Sequence, residues 1–402
     1  MHSSISLHRI VIAIAGAVLL SGCGLATADA PVLIANGTGQ LPMSSYRFRA
    51  DTLTPDVEQV VRSQYRQINA LHEPKKSKRV ANFLAISGGG GDGAFSAGFL
   101  NGWSAKGRPE FEVVTGVSTG ALIAPFAFLG PAYDDHLRKL YTTIGDADVY
   151  TSLGPIGVLG QSLYDPGPLR TRIQSELTDG MLDEIAAQYA RGRRLLIQTV
   201  DIETQIPYIW DVTQIAAKTG QKRQQIITDL LLASAAIPGL FPPVRVRVQR
   251  PDGIADELHV DGGLSAQIFF APPGLDLAKF EIEYFGRPRE QNLYLLRNGK
   301  LAGEDEAVQL NTLALTNRAI STLIKSQSRQ NMDQIRSSLA EQGTQVYTAA
   351  IPDNFSSKPE SMFDTAYMRE LYRTGYSIGA SKERWSSTHG TRSVVPARHT
   401  QR

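Results

Sequence analysis

The sequence predicts an α/β fold, because two strand–turn–helix units follow one another in its first half. The first unit joins the apolar run 82–87 to the apolar stretch 94–103 through consecutive glycines. The second joins the run 111–115 to the small-residue run 121–124 through a short turn. Strands that alternate with helices in this way are typical of a sheet covered by helices.

The turn of the second unit reads Gly-Val-Ser-Thr-Gly over residues 116–120. A serine at the apex of such a turn exposes its hydroxyl at the edge of a sheet. Gly116 and Gly120 would let the chain double back, and the following helix offers free N–H groups and a positive dipole end. Ser118 is therefore a candidate nucleophile. A tight turn with a hydrogen-bonded serine would give the same pattern, so the motif alone leaves both interpretations open.

The glycine run of the first unit predicts an anion site at a helix N-terminus, for either a phosphate or the oxyanion of an acyl-transfer intermediate. The dinucleotide pattern is formally met by Gly88, Gly90 and Gly93, but no acidic ribose partner follows. A Gly-Lys-Ser/Thr sequence is also missing, which excludes a nucleotide P-loop. Because a candidate nucleophile follows one βα unit later, we favour an oxyanion hole formed by Gly89, Gly90 and Gly91.

A second candidate catalytic residue is Asp261, which ends a short apolar run and precedes two glycines. A loop at that position can turn the carboxylate into a cleft. The alternative is an Asx-type turn, which is the common role of Asp-Gly. Just before it, the alternation of Val244, Val246 and Val248 predicts an edge-like strand.

Composition limits the classes of function. The chain has 402 residues, enough for a sizeable core in one large domain or two. Its 41 basic and 39 acidic residues give a net charge of +2, so there is no electrostatic case for a nucleic-acid partner. The single cysteine, Cys23, excludes an internal disulfide framework and a cysteine-based metal site.

The N-terminus predicts export. A basic and polar start is followed by the apolar run 10–20, which is too short to span a bilayer as a mature helix. Leu-Ser-Gly-Cys at 20–23 resembles the bacterial lipobox, so we expect residues 1–22 to be a lipoprotein-type signal peptide and Cys23 to be lipidated. The acyl chains would tether the protein to a membrane. Gly24, in place of a retaining aspartate, favours the outer membrane. An ordinary signal peptide with an incidental cysteine is the alternative.

Four motifs in a fixed order resemble the patatin-like phospholipase family. They are Gly88-Gly89-Gly90 with Gly93 and Gly98, Gly116-x-Ser118-x-Gly120, the segment 233–238 with Phe241-Pro242-Pro243, and Asp261-Gly262-Gly263. The resemblance implies a three-layer α/β/α fold with a mostly parallel central sheet. It also implies hydrolysis of lipid acyl esters by a Ser–Asp dyad, with Ser118 as nucleophile and Asp261 as base. A lipid or ester is then the expected substrate, and neither a metal nor another cofactor is required.

One position departs from the family pattern. The family usually has Arg or Lys where this chain has Asp92. A negative charge near the oxyanion hole would weaken anion stabilisation, but the backbone donors are unaffected. We therefore expect activity to persist with an altered head-group preference.

The predicted organisation has five parts, and the oligomeric state stays open. The signal peptide at 1–22 is followed by a tether at 23–50, a helical extension at 51–79, the hydrolase domain at 80–385 and a disordered tail at 386–402. Periodicity predicts helices over 54–71, 133–150, 169–191, 229–236, 308–339 and 368–385, and strands over 193–201, 206–212, 292–296 and 344–351.

Two further expectations concern packing and loops. We expect Tyr367, Leu371, Tyr372 and Tyr376 to form one buried helix face, because their spacing is helical. The Gly- and Pro-rich stretch 151–167 is either a mobile cover over an acyl pocket or a plain connection.

Two rival functions remain open at this point. A Ser-His-Asp esterase would need a histidine, and the candidates are His389 and His399 in the tail and His259 beside Asp261. We expect His259 to be a packing residue or one that acts through its neighbours. The second rival is an inactive lipid-binding lipoprotein, which Asp92 favours and intact Ser118 and Asp261 oppose.

Overall fold

The α/β class is confirmed by the computed structural model, which describes residues 32–34, 46–71, 80–250, 253–305 and 307–387. The predicted signal peptide, Cys23, His389 and His399 lie outside the described residues. The strands are β1 (Val32–Ile34), β2 (Arg47–Arg49), β3 (Ala81–Ile86), β4 (Val113–Gly116), β5 (Thr151–Ser152), β6 (Tyr164–Asp165), β7 (Arg194–Asp201), β8 (Ile206–Asp211), β9 (Val244–Arg250), β10 (Gly253–Asp261), β11 (Gln291–Lys300), β12 (Gln345–Ile351) and β13 (Ser386–Ser387).

The helices alternate with these strands. They are α1 (Pro55–Ala70), α2 (Gly93–Ser104), α3 (Thr119–Leu129), α4 (Asp134–Thr142), α5 (Asp146–Val149), α6 (Gly154–Leu159), α7 (Gly167–Glu176), α8 (Asp179–Ala190), α9 (Val212–Lys218), α10 (Arg223–Ser234), α11 (Leu277–Phe285), α12 (Thr312–Ala340) and α13 (Thr365–Ala380). In the described part of the chain, none of them combines the length and apolarity needed to cross a membrane.

The middle of the main sheet is parallel, in the order β7-β4-β3-β11-β12. Antiparallel strands extend it on both sides: β10 and β8 pair with β7, and β13 pairs with β12. Parallel strands covered on both faces are apolar along their whole length, and all eight residues of β7 are buried. The predicted mostly parallel central sheet is therefore confirmed.

Helices cover both faces of this sheet, which gives three layers. One apolar cluster joins the sheet to α2, α3, α10 and α13. A second cluster on the opposite face joins it to α1, α11 and α12. Both faces of the sheet are thus covered by apolar side chains, and the strand ends are the places where polar groups can be exposed.

Glycines let the C-terminal helix pack very closely on α2. A Cβ built at Gly98 would lie 2.0 Å from the carbonyl oxygen of Tyr372, and one at Gly375 would lie 2.2 Å from that of Phe95. Only glycine permits this approach of two helix backbones. The contact fixes the start of α2, and therefore the glycine loop before it, to the last helix of the domain.

Several sequence expectations need correction. Two short strands, β1 and β2, form inside the range 23–50 that we expected to be a tether, because β9 and β8 offer unpaired backbone groups to them. As a result β9 is paired on both sides and is not an edge strand. β13 likewise lies in the predicted tail and pairs with β12. Tyr376 is 42% exposed, whereas Tyr367, Leu371 and Tyr372 are buried as expected.

Candidate active site

Ser118 lies at a strained turn between β4 and α3. Its φ of 54° and ψ of −126° fall in a region that residues other than glycine rarely adopt. A Cβ at Gly116 would lie 2.4 Å from the oxygen of Gly120, and a Cβ at Gly120 would lie 2.3 Å from the oxygen of Ile86. Both flanking positions therefore need glycine. The predicted strand–turn–helix unit is confirmed, and the turn lifts the Ser118 side chain away from the strand.

A second serine holds the backbone of this turn. The N–H of Ser118 donates to Oγ of Ser234 at 3.1 Å, and that hydroxyl donates to the carbonyl oxygen of Gln198 at 2.7 Å. Ser234 is fully buried at the end of α10. It belongs to the segment 233–238 that carries the family resemblance, but sequence reasoning gave it no role. Its position fixes the turn to β7.

The sheet topology brings Asp261 to Ser118. On β7, Gly116 pairs with Ile197 and Asp261 pairs with Thr199, only two residues further along. Because β8 occupies the other edge of β7, β4 and β10 approach the same edge from opposite directions. The ends of β4 and β10 therefore meet. Ser118 and Asp261 become neighbours although 143 positions separate them in the sequence (261 − 118).

The Asp261 carboxylate accepts a hydrogen bond from the Gly263 N–H at 2.7 Å. This bond is the Asx-type turn that we considered as an alternative. The Ser118 hydroxyl lies close enough to the same carboxylate to influence its pKa, so the turn and the proximity to Ser118 coexist. Both Ser118 and Asp261 are buried. Burial raises the pKa of Asp261 to about 6, and the neighbouring Ser118 hydroxyl and Gly263 N–H act against that rise.

The glycine loop lies beside the serine. A Cβ at Gly88 would approach the Cβ of Ser118 to 3.1 Å. Gly89 and Gly90 have positive φ angles of 154° and 56° and lie at least partly exposed. Within the described residues, their N–H groups donate to no protein acceptor. Gly91 is buried, and a Cβ there would lie 2.7 Å from the carbonyl oxygen of Met362. Gly89 and Gly90 thus present free donors near Ser118.

Asn298 at the end of β11 braces this loop. Its side-chain amide donates to the Ser87 carbonyl oxygen at 2.8 Å, and its backbone N–H donates to the Ser87 hydroxyl at 2.8 Å. A Cβ at Gly89 would lie 2.5 Å from the Asn298 carbonyl oxygen. The buried Arg297 also donates to the Ser87 hydroxyl, at 3.3 Å. No sequence signal indicated Arg297 and Asn298, because about 210 positions separate them from the loop in the sequence.

Asp92 is a half-buried member of a polar group behind the loop. Its carboxylate accepts a hydrogen bond of 2.6 Å from the Tyr367 hydroxyl on α13. Burial raises the pKa of Asp92 to about 6, while Tyr367 and the positive charge of Arg297 act against that rise. Burial also lowers the pKa of Arg297 to about 10, which the charge of Asp92 opposes. A cation therefore lies near the glycine loop, but it is Arg297 on β11 and not a residue at position 92.

His259 does not contact the serine. It is fully buried, with Nε2 2.9 Å from a Glu257 carboxylate oxygen and Nδ1 2.9 Å from the Thr199 hydroxyl oxygen. Burial lowers the pKa of His259, which its bond to Glu257 opposes. Glu257 in turn binds Arg47 and Arg250. Of the histidines in the described residues, none hydrogen-bonds Ser118 or Asp261.

The stretch 151–167 forms a small hairpin of β5 and β6 around α6. It lies against the segment that follows Ser234, since the N–H groups of Leu163 and Tyr164 donate to the carbonyl oxygens of Gly239 and Leu240. The Ala236 carbonyl oxygen accepts the Asp261 N–H at 2.9 Å. The hairpin therefore packs on the loop that supports Asp261. Across the described ranges, no group of three or more His, Cys, Asp or Glu side chains could hold a metal ion.

Comparison with known proteins gives one family match. Residues 84–272 match the model of the family described as patatin-like phospholipase, which supports a lipid acyl hydrolase at family level. VipD from Legionella pneumophila is 14% identical with a TM-score of 0.31, over 74% of this chain and 65% of that chain. The type III effector protein ExoU is 13% identical with a TM-score of 0.28, over 75% of this chain and 52% of that chain. Less than two thirds of either structure's chain is spanned, and we draw no conclusion from these two likenesses. No curated protein matches the sequence.

Proposed function

Residues 84–272 match the patatin-like phospholipase family, and on that premise we propose that the protein is a serine acyl hydrolase. It would cleave lipid acyl esters, as a phospholipase A, lysophospholipase or esterase does, through Ser118, Asp261 and an oxyanion hole at Gly89–Gly91. The observation that carries the proposal is the proximity of the Ser118 hydroxyl to the buried Asp261 carboxylate, whose pKa is raised. A serine hydroxyl needs such a base to become a nucleophile.

The reaction has two steps. Asp261 accepts the Ser118 proton while Oγ attacks the ester carbonyl carbon, and the carbonyl electron pair moves to oxygen. When the tetrahedral intermediate collapses, the ester C–O bond breaks and the leaving alcohol takes the proton from Asp261. Water then attacks the acyl-serine in the same way, gives its proton to Asp261 and releases the fatty acid. Ser118 regains its proton, and the site is restored.

The raised pKa of Asp261 suits it to this role. A carboxylate with an ordinary pKa near 3.9 holds a proton too weakly to take one from serine. At a pKa of about 6, Asp261 is a stronger base and is still mainly ionised at neutral pH. Burial thus supplies basicity without the histidine of a Ser-His-Asp triad.

The free N–H groups of Gly89 and Gly90 support the oxyanion assignment. They follow Gly88, which lies beside Ser118, and have no protein acceptor within the described residues. Losing one donor of this kind costs about 3–4 kcal/mol of transition-state stabilisation. Arg297 would add a positive potential behind the loop, partly cancelled by Asp92. Gly91 is the weakest member of the predicted set, because it is buried against Met362.

We further propose that the mature protein is a lipoprotein of the bacterial envelope, held at a membrane by acyl chains on Cys23, with the outer membrane favoured. The pattern at 20–23 supports this, together with Gly24. Metabolic labelling with a radioactive fatty acid, lost on Cys23→Ser, is the expected result. Nucleic acid is not an expected partner.

Hydrolysis assays test the function. We would measure release of fatty acid from phosphatidylcholine and of alcohol from a short-chain ester, using the full chain. Ser118→Ala and Asp261→Asn should each reduce kcat by at least about a thousandfold. The matched control is Asp256→Asn, on the same strand but paired at the surface with Arg247, and it should retain wild-type activity. Lipid binding without turnover by the folded wild-type protein would instead support the lipid-binding alternative.

A further inference from the structure

The first half of α12 is a helix that the protein does not cover. From Thr312 to Ile324, none of the side chains with a described exposure is buried. Leu323 is 69% exposed and Leu315 is 48% exposed, and Ile320 and Ile324 are also exposed. A helix of a globular protein normally turns such residues toward the core. Four large apolar side chains on one uncovered helix therefore indicate an interaction surface.

The orientation of this helix is the reverse of the usual one. At about 100° per residue, its exposed leucines and isoleucines, with Ala319, lie within about half of the helix circumference. Its cations lie on the opposite side and contact the protein. Lys325 pairs with the Glu304 carboxylate at 3.2 Å, and Arg318 donates to the Glu304 carbonyl oxygen. The polar face of α12 is thus attached to the domain, and its apolar face points to solvent.

This apolar face continues to the candidate active site. The Gln327 side chain donates to the carbonyl oxygens of Leu264 and Ser265, at 3.2 and 2.8 Å. Leu264 lies three residues after Asp261 and is itself exposed. Gln327 follows Leu323 by four residues, or about one helical turn. Leu323 is therefore about one helical turn from the residue that bonds the loop after the proposed base, and Leu315 lies about two turns further along α12.

A second group of exposed apolar side chains belongs to the segment that is bonded to the backbone of Asp261. Ile237 is exposed and follows Ala236, whose carbonyl oxygen accepts the Asp261 N–H. The hairpin of β5 and β6 adds the exposed residues Leu153 and Leu163, and Leu163 is bonded to Gly239. We call these exposed side chains, with Leu264, the rim of the site.

We propose that the apolar face of α12, together with this rim, docks on a lipid surface and holds the Ser118 site against it. The inference rests on the proposed function: if the substrate is a lipid ester, it reaches Ser118 most directly from a membrane that is in contact with the rim of the site. Within Thr312–Ile324 the proposed docking face carries no charged side chain, because Arg318 is held at Glu304 on the opposite side, so insertion into lipid would bury no charge. Such a helix lies in the plane of the interface with its apolar face inserted.

A fluorescent label tests the docking directly. Every sample is the full chain with Cys23→Ser and Ser118→Ala, so that an introduced cysteine is the sole thiol and vesicles stay intact. One sample carries Leu323→Cys with an environment-sensitive dye. The matched control carries Ile254→Cys, which is 58% exposed and lies seven residues, or roughly 23 Å, from Asp261 along β10. The apolar run 10–20 is present in every sample and could itself bind vesicles. It does not affect the comparison, because each dye reports only the surroundings of the position to which it is attached.

Vesicles of phosphatidylcholine and phosphatidylglycerol should shift the emission at position 323 to the blue, and a spin-labelled lipid should quench it. The dye at position 254 should respond to neither. An equal response at both positions would overturn the proposal. A shift at position 323 that depends on protein concentration without vesicles would also overturn it, in favour of a second copy of the chain.

A double substitution tests the energetic contribution. Leu315→Gln with Leu323→Gln should weaken vesicle binding about tenfold, because two partly inserted leucines are lost. Ile254→Gln with Ile282→Gln removes two similarly exposed apolar side chains elsewhere, and binding should change less than about twofold. Equal losses in both pairs would contradict the proposal. Because binding is measured on Ser118→Ala chains, it does not depend on catalysis. A lack of hydrolysis by the wild-type protein would therefore count against the proposed function and not against the docking.

Discussion

The Tyr367 hydroxyl donates a hydrogen bond of 2.6 Å to the Asp92 carboxylate and so connects the last helix to the loop beside Ser118. The bond stabilises the ionised form of a carboxylate whose pKa is raised by burial. It accounts for how the chain accommodates an acidic residue where the family usually has a basic one.

Tyr367→Phe should therefore destabilise the protein in a pH-dependent way. Asp92 is ionised at pH 8, so the loss of its donor should reduce the free energy of unfolding by about 1–3 kcal/mol. At pH 5 the carboxyl is mainly protonated and the loss should be smaller. Urea unfolding at both values measures the difference, with Tyr376→Phe on the exposed side of the same helix as control. An equal loss at both pH values would contradict this account.

The rate should depend on pH through Asp261. With a pKa of about 6, the base is protonated and inactive below that value, so kcat/KM should fall about tenfold per pH unit there and level off above it. Asp256→Asn should leave the profile unchanged, because the Asp256 pKa is lowered by Arg247. A midpoint near 4 would indicate that burial does not tune the base.

Asp261→Asn should increase stability at high pH. The folded-state pKa of Asp261 is above its unfolded value, so the folded protein binds the proton more tightly. The resulting stabilisation is complete below about pH 4 and is lost as the pH rises through about 6. Asparagine cannot ionise, and the variant should gain about 3 kcal/mol over wild type at pH 8 but almost nothing at pH 4. Unfolding free energies at the two values check the sign, and a gain independent of pH would be inconsistent with it.

The position of Ser118 at a sharp turn between a strand and a helix was predictable from sequence because local backbone demands carry it. Gly116 and Gly120 are required by contacts under 2.5 Å, and Asp261 is set by the end of its strand. Long-range partners carry no such signal. Ser234, Asn298 and Tyr367 each act through a bond to a distant part of the chain. The exposure of Tyr376 was also mispredicted: its backbone packs on α2, where a Cβ at Gly102 would lie 2.1 Å from its carbonyl oxygen, but its side chain is 42% exposed, and helical spacing does not distinguish the two.

Ser234 is one of these unpredicted residues, and its role can be tested. Ser234→Ala removes the acceptor of the Ser118 N–H, so the strained turn should lose its fixed position and kcat should fall about tenfold with little change in KM. Ser96→Ala is the matched control, since Ser96 is equally buried but its hydroxyl has no partner. If both variants lose the same activity, general packing rather than positioning of Ser118 is responsible.

The most direct measurement of the central claim is covalent labelling of the full chain by a fluorophosphonate, with the modified residue located by mass spectrometry. We predict labelling at Ser118, lost in Ser118→Ala, slowed at least about a hundredfold in Asp261→Asn and unaffected in Asp256→Asn. Undiminished labelling of Ser118 in Asp261→Asn would contradict the proposed base, and no labelling of the folded wild-type protein would contradict the serine hydrolase itself.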